Sequence, residues 1–358
     1  MFYLVSAVVL SFLFSFTILG LSKKRKWFDL PDEERRIHTV PTPNLGGVAM
    51  FAAFWIVVIS FVFFSQVQGA YFKYLIGLFI GSLVLFITGI IDDRRKISPK
   101  LKFLAQFIAA LTVIAAGIGI TFINNPFGGF IFLDQIQIPI LEISGKIYQI
   151  TLLADLFALF WIIGMINVIN FLDGLDGLAS GVSVIAFLAI FILSIIPGVN
   201  QPLSAIIALI ALGAVLGFLP FNLSPAKMFM GDTGSMFLGF LLATLAIVAG
   251  GKLATALLVL GLPIFDGVWV ASSRLISRKK PWEAGRDHLH HKLMNLGLSK
   301  RIIVLVYWTI TALFAGIAIM SGSKEKFVAL ITLLAFMTVS MIVINYKNKC
   351  LKKLKENS

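Results

Sequence analysis

Of 358 residues, 59% are hydrophobic and 13% charged, and the mean hydropathy is +0.97, well outside the range of soluble globular domains. The chain is therefore read as an all-α, polytopic integral membrane protein. Its single cysteine, Cys350, excludes an intrachain disulfide and a cysteine-based zinc site, and the net charge of +13 needs a topological explanation before nucleic acid is considered.

Apolar runs long enough to cross a hydrocarbon layer of ~30 Å fall at 1–21, 46–64, 75–91, 101–120, 149–169, 178–197, 204–220, 233–250, 253–271, 302–320 and 327–345, eleven spans in all. The first has no basic residues ahead of it and no small-residue cleavage site, and the cluster KKRK follows at 23–26. It reads as an uncleaved span, not a signal peptide. If the segment after it is cytoplasmic, alternation leaves only Lys73, Lys146, Lys252, Lys324 and Lys326 outside, and 25 of the 30 Lys and Arg inside. That asymmetry puts the N-terminus outside and the C-terminus in the cytoplasm. It also accounts for the basic excess without nucleic acid, through orientation and nearby anionic lipid. The outer connection 121–148 alternates partially and suits a short exposed hairpin. Residues 1–346 are expected to form one catalytic membrane domain and 347–358 a basic cytoplasmic tail.

Acidic side chains in or beside spans are costly and usually serve a purpose. Here Asp92, Asp93, Asp173, Asp176 and Asp232 all fall at cytoplasmic span ends. A cation-coupled transporter would place such groups nearer the midplane, so carboxylates gathered at one face describe an interfacial site fed from the cytoplasm. In GIIDDRRKISPK, helical neighbours point ~100° apart, and Asp92 and Asp93 cannot address one atom. Simple charge balance with Arg94, Arg95 and Lys96 is the plainer alternative.

The next polar stretch, NVINFLDGLDGLASG, spreads Asn167, Asn170 and Asp173 over one ~120° helical face. Asp176 follows, and Gly174, Gly177 and Gly181 loosen the helix for close approach of a ligand. Asn167 alone equally suits bonding between packed helices. In FNLSPAKMFMGDTGS, Asp232 and Thr233 suit a helix N-cap. Such a terminus is also an anion site, where a carboxylate would invite Mg²⁺ as a bridge to phosphate.

Asp266 in LPIFDGVWV either supports the site or bonds a neighbouring helix, and Asp155 has no functional account. All four histidines lie in cytoplasmic loops: His38 in RRIHTVPTPNLGG, and His288, His290 and His291 in GRDHLHHKL beside Arg286 and Lys292. HxHH alone lacks the usual companions of a zinc site, and donor contacts to phosphate fit better.

In this order, on alternate cytoplasmic loops, DDRRK, NVINFLDGLDGLASG, FNLSPAKMFMGDTGS and GRDHLHH resemble the polyprenyl-phosphate N-acetylhexosamine-1-phosphate transferase family over essentially the whole membrane domain. RRIHTVPTPNLGG and the HxHH loop are similar to the bacterial undecaprenyl-phosphate GlcNAc-1-phosphate transferases. The sister phospho-MurNAc-pentapeptide transferases typically carry three consecutive histidines, which Leu289 interrupts here. The resemblance implies transfer of GlcNAc 1-phosphate from UDP-GlcNAc to undecaprenyl phosphate with release of UMP. Such a step begins a surface polymer such as O antigen or teichoic acid.

It further implies dependence on Mg²⁺, with Mn²⁺ as a substitute, a bacterial cytoplasmic-membrane location with the site facing the cytoplasm, and a possible homodimer. By motif, Asn170 and Asp232 would bind the metal, Asp92 and Asp93 would be the catalytic acidic pair, and Asp173 a further active-site carboxylate. Asp176 and Phe229 would hold the uracil, with Asn222 in the nucleotide pocket. Arg286 and the loop of His288, His290 and His291 would contact pyrophosphate or sugar, and Lys96 and His38 would assist substrate binding. A phosphate monoester has a second pKa near ~6, so the acceptor needs no strong base. In-line attack on the β-phosphorus is expected, with Asp92 or Asp93 orienting the acceptor or taking its last proton, against a rival covalent phosphosugar-enzyme.

Overall fold

A computed structural model describes residues 1–25, 41–143, 146–197, 199–248, 253–280, 285 and 287–356. All eleven apolar runs contain helix: α1 (Phe2–Arg25), α2 (Gly46–Ser65), α3 (Ala70–Arg94), α4 (Pro99–Ala115), α5 (Leu152–Leu172), α6 (Leu178–Ile195), α7 (Pro202–Asn222), α8 (Gly231–Val248), α9 (Leu253–Val259) with α10 (Gly261–Ile276), then, after the short α11 (Leu289–Asn295), α12 (Lys300–Met320) and α13 (Ser323–Glu356). Among the described residues nine helices are long and apolar enough to cross a membrane.

Two of the eleven expected spans depart from the simple picture. The fourth forms a helix of 17 residues that stops at Ala115, before the left-handed Gly117 (φ 94°). The ninth is broken: α9 and α10 meet at 81°. Pro263 is the physical reason, because it has no N–H to donate to the carbonyl four residues back and its ring crowds that turn. The last helix also continues through Glu356, so the basic tail prolongs α13. The connection expected as one hairpin contains two, with β1 (Phe122–Asn124) antiparallel to β2 (Phe130–Phe132) and β3 (Gln137–Ile143) to β4 (Lys146–Thr151).

α8 is the axis of the bundle. Every residue from Thr233 to Ile247 is buried, as expected of a helix that is apolar on all sides. Around it stand α2, α3 and α5. At the periphery α1 lies against α7, where Gly213 and Gly217 let the backbones touch: a Cβ at Gly217 would sit 2.3 Å from the Val8 carbonyl oxygen. Small residues four apart are a packing device of membrane helices, and the Ser11 hydroxyl donates to the Ala214 carbonyl across the same contact (2.6 Å). This frame brings the C-terminal ends of α3, α5 and α7 together with the N-terminal ends of α6 and α8.

Candidate active site

The adjacent carboxylates at the end of α3 have different partners. Asp92 accepts from the Ile97 N–H (2.9 Å) and pairs with the Lys102 ammonium on α4 (2.7 Å). Asp93 turns to α8: its oxygens accept from the backbone N–H groups of Asp232 (2.8 Å) and Thr233 (3.1 Å) and from the Thr233 hydroxyl (2.6 Å). The N-cap read into Asp232 and Thr233 is thus supplied by a side chain from another helix. The first-turn N–H groups that would welcome a phosphate already hold an anion, and it belongs to the protein. Gly231 is required at this junction, since its φ is +67° and a Cβ would lie 2.5 Å from Asp93 Oδ2 and 2.6 Å from the Asn44 carbonyl.

Asp232 therefore points the other way, where Lys102 bridges it to Asp92. Asn170, in the last turn of α5, donates its amide to Asp232 Oδ1 (3.0 Å) and to Ser235 Oγ (2.9 Å). Asp92 and Asp232, from distant stretches of chain, thus meet on one ammonium group, and Asn170 braces the far oxygen of Asp232. Asn167 lies outside this cluster and forms a reciprocal amide pair with Gln106 (2.8 and 3.3 Å), which ties α5 to α4.

Asp173 and Asp176 do not continue a helical face. α5 ends at Leu172, and both carboxylates lie in the turn that Gly177 (φ 79°) closes into α6. Asp173 is held well above the usual carboxylate range, first by burial and then by the negative charges of Asp232, Asp93 and Asp176. Asp176 accepts the Ala226 N–H (3.1 Å) and so fastens this turn to the 223–230 loop. Asn222 does the same from below. It is 1% exposed, its Oδ1 accepts from the Gly177 N–H (3.2 Å) and the Ser180 hydroxyl (2.7 Å), and its Nδ2 donates to the Met228 carbonyl (3.1 Å). Expected to contact nucleotide, Asn222 is spent on shaping the wall. The Phe229 main chain is fixed by Pro43 and Gly46 (2.7 and 2.9 Å).

The histidine loop closes over the α5–α6 turn. The His290 ring sits on Gly174, where a Cβ would lie 2.5 Å from Nε2, and its two nitrogens are buried without a partner. Burial first, then His291 and His288, lower its pKa well below the ordinary value, so the ring is neutral. His288 lies against Phe171 (ring centroids 5.3 Å) and stacks on His290 (5.8 Å, 7°). Lys96 is exposed on the loop after α3, and His38 and Arg286 lie outside the described residues. Lys102, Asn44 and Ser235 join the site unforeseen. Lys102 carried a signal, a cation just inside a span, which orientation alone had absorbed.

Among the described residues no three His, Cys, Asp or Glu side chains form a closed metal cage. Mg²⁺ seldom uses one, taking one or two carboxylates and completing its shell with water and substrate phosphate. Asp232 and the adjoining Asp92 offer hard oxygen donors around a position that already holds a positive charge, and Asn170, whose amide nitrogen faces Asp232, adds its oxygen once the amide is turned over; together they fit such an ion. Mn²⁺ accepts the same donors.

A family model described as glycosyl transferase family 4 matches residues 75–250. The chain is 30% identical over 315 residues to a probable undecaprenyl-phosphate N-acetylglucosaminyl 1-phosphate transferase of Bacillus subtilis (strain 168), covering 86% of this chain and 81% of that one. It is 30% identical over 319 residues to a decaprenyl-phosphate N-acetylglucosaminephosphotransferase of Mycobacterium tuberculosis (strain H37Rv), covering 82% and 74%. A phospho-N-acetylmuramoyl-pentapeptide-transferase of Staphylococcus epidermidis (strain RP62A) is 28% identical over 327 residues, covering 86% and 94%.

Proposed function

The chain belongs to glycosyl transferase family 4, and from that premise we propose that it transfers GlcNAc 1-phosphate from UDP-GlcNAc to undecaprenyl phosphate, releasing UMP. The observation that carries the reading is the meeting of Asp92 and Asp232 at one cationic point where helix ends converge, with Asn170 bonded to Asp232. The acceptor's headgroup must stay at the membrane surface while its chain remains in lipid, and a site at helix ends suits it. The donor is a charged, soluble nucleotide and must come from the aqueous side, and the distribution of Lys and Arg supports the cytoplasm as that side.

In the proposed reaction a lipid phosphate oxygen attacks the β-phosphorus in line. The bond from that phosphorus to the bridging oxygen breaks, and UMP leaves with the electron pair. Asp232 and Asn170, with Asp92 beside them, would hold Mg²⁺, which when bound neutralises the pyrophosphate and polarises the phosphoryl group. Lys102 keeps the two carboxylates compatible and adds positive charge where two anions must meet. Asp92 orients the acceptor. Asp93 fixes the start of α8 and with it the direction of Asp232, so the pair divides into one group near the reacting atoms and one positioning group. Asp176 and Phe229 would hold the uracil on the wall that Asn222 braces, Asp173 completes the acidic floor, and the histidine loop and Arg286 would face the sugar and pyrophosphate.

Phospho-MurNAc-pentapeptide transfer is the second reading, favoured by the Staphylococcus relative and opposed by Leu289 within the histidine run. Purified protein given undecaprenyl phosphate, Mg²⁺ and a panel of UDP-sugars decides between them. UDP-GlcNAc is expected to turn over and EDTA to stop it. Exclusive use of UDP-MurNAc-pentapeptide would establish the second reading.

A further inference from the structure

We propose that Asp266 is a positioning residue for this reaction: acting through His288, it sets which ring nitrogen faces the substrate and holds the histidine loop against the α5–α6 turn. The proposal rests on the reading of that loop as substrate-facing.

Asp266 lies on α10, just past the break in the ninth span, and is 5% exposed. Both of its oxygens go to the loop: Oδ2 to His288 Nδ1 (2.9 Å) and Oδ1 to the Leu289 N–H (2.8 Å). A carboxylate can only accept, so Nδ1 carries the proton. Nε2 is then the nitrogen that accepts in the neutral ring and donates in the imidazolium. The His288 side chain keeps 10% exposure, and with Nδ1 engaged by Asp266, Nε2 is the nitrogen left for substrate.

Two turns further along α10, Arg274 pairs with Asp287 (3.0 Å). The reoriented helix therefore grips the loop at residues 287, 288 and 289. The 81° break has a consequence here, because a straight ninth helix would aim Asp266 and Arg274 elsewhere. A carboxylate behind an imidazole that fixes its tautomer and plane is a recurrent way to make histidine dependable.

The tautomer is read directly by ¹⁵N NMR of histidine-labelled full-length protein in detergent micelles, at a pH where the rings are neutral. Four histidines give a small spectrum, and the His288 signal is the one lost in His288→Gln. The proton is expected on Nδ1, and a proton on Nε2 overturns the proposal. In turnover, Asp266→Asn is expected to lower kcat about 10–100-fold with KM for UDP-GlcNAc changed less than about threefold. Asp266→Glu should recover part of the loss, and Asp266→Asn should cost nothing further in a His288→Gln background. Full multiplication of the two losses would show that Asp266 does not act through His288. The spectrum needs no turnover, so a protein inactive with every donor but protonated on Nδ1 would sink the transferase reading and leave the Asp266–His288 coupling standing.

Discussion

With both oxygens of Asp93 committed to the first turn of α8, Asp93→Ala strands two N–H groups and a hydroxyl. The loss is expected to cost on the order of 1–3 kcal/mol and to lower the melting temperature in detergent. Asp92→Asn should leave the melt nearly unchanged and reduce turnover about a hundredfold or more; the opposite pattern would exchange the two roles. Asp173 gives a further test. Its folded pKa is raised, so ionising it opposes folding, and the penalty grows as pH rises from the ordinary value of ~3.9 until the folded value is passed. In EDTA, Asp173→Asn should therefore raise the melting temperature more at pH 7.5 than at pH 5 while impairing turnover, and an equal or negative shift would contradict the burial argument. That Asp92 and Asp93 diverge was legible in the sequence, because adjacent helical residues must. Which of them meets Asp232 was not, because that depends on how α3 packs on α8.

The elements carry signals of unequal clarity. Long apolar runs are unambiguous in a membrane, since backbone groups must be satisfied within the span, and every expected run contains helix. The break in the ninth was written in Gly-Leu-Pro at 261–263, but apolarity continues across it and a hydropathy reading passes over the proline. The regular three-residue step of Asn167, Asn170, Asp173 and Asp176 looks like one stripe, but the glycines that follow it mark a helix end that unwinds, and it does. Only the asparagines are helical, and each carboxylate owes its direction to the turn after Leu172. Asn222 joins that turn to the 223–230 loop. Asn222→Ala is expected to cost about 2–4 kcal/mol, because it unpairs buried groups on both segments, and to weaken UDP-GlcNAc binding. An unchanged melt would mean that the two loops hold together without it.

At the scale of the whole molecule, the cytoplasmic placement of the site rests on 25 of 30 basic residues lying on one side of the expected topology. The one native cysteine tests it without engineering. Cys350 lies near the end of α13, so a membrane-impermeant maleimide should label it only after spheroplasts are opened; labelling of intact spheroplasts would invert the orientation. The convergence of Asp92, Asn170 and Asp232 joins residues far apart in sequence. Spacing pointed to one face of the membrane, whereas the bridging of Asp92 and Asp232 by Lys102 emerged only from the packing of α4.

If the bond broken lies between the two phosphorus centres of the donor, the β-phosphorus must leave with the sugar. With UDP-GlcNAc labelled with ³²P at the β-position, undecaprenyl phosphate and Mg²⁺, the label should pass into the organic-extractable lipid as UMP accumulates. Label retained in water-soluble UDP while sugar alone reaches the lipid would contradict the account.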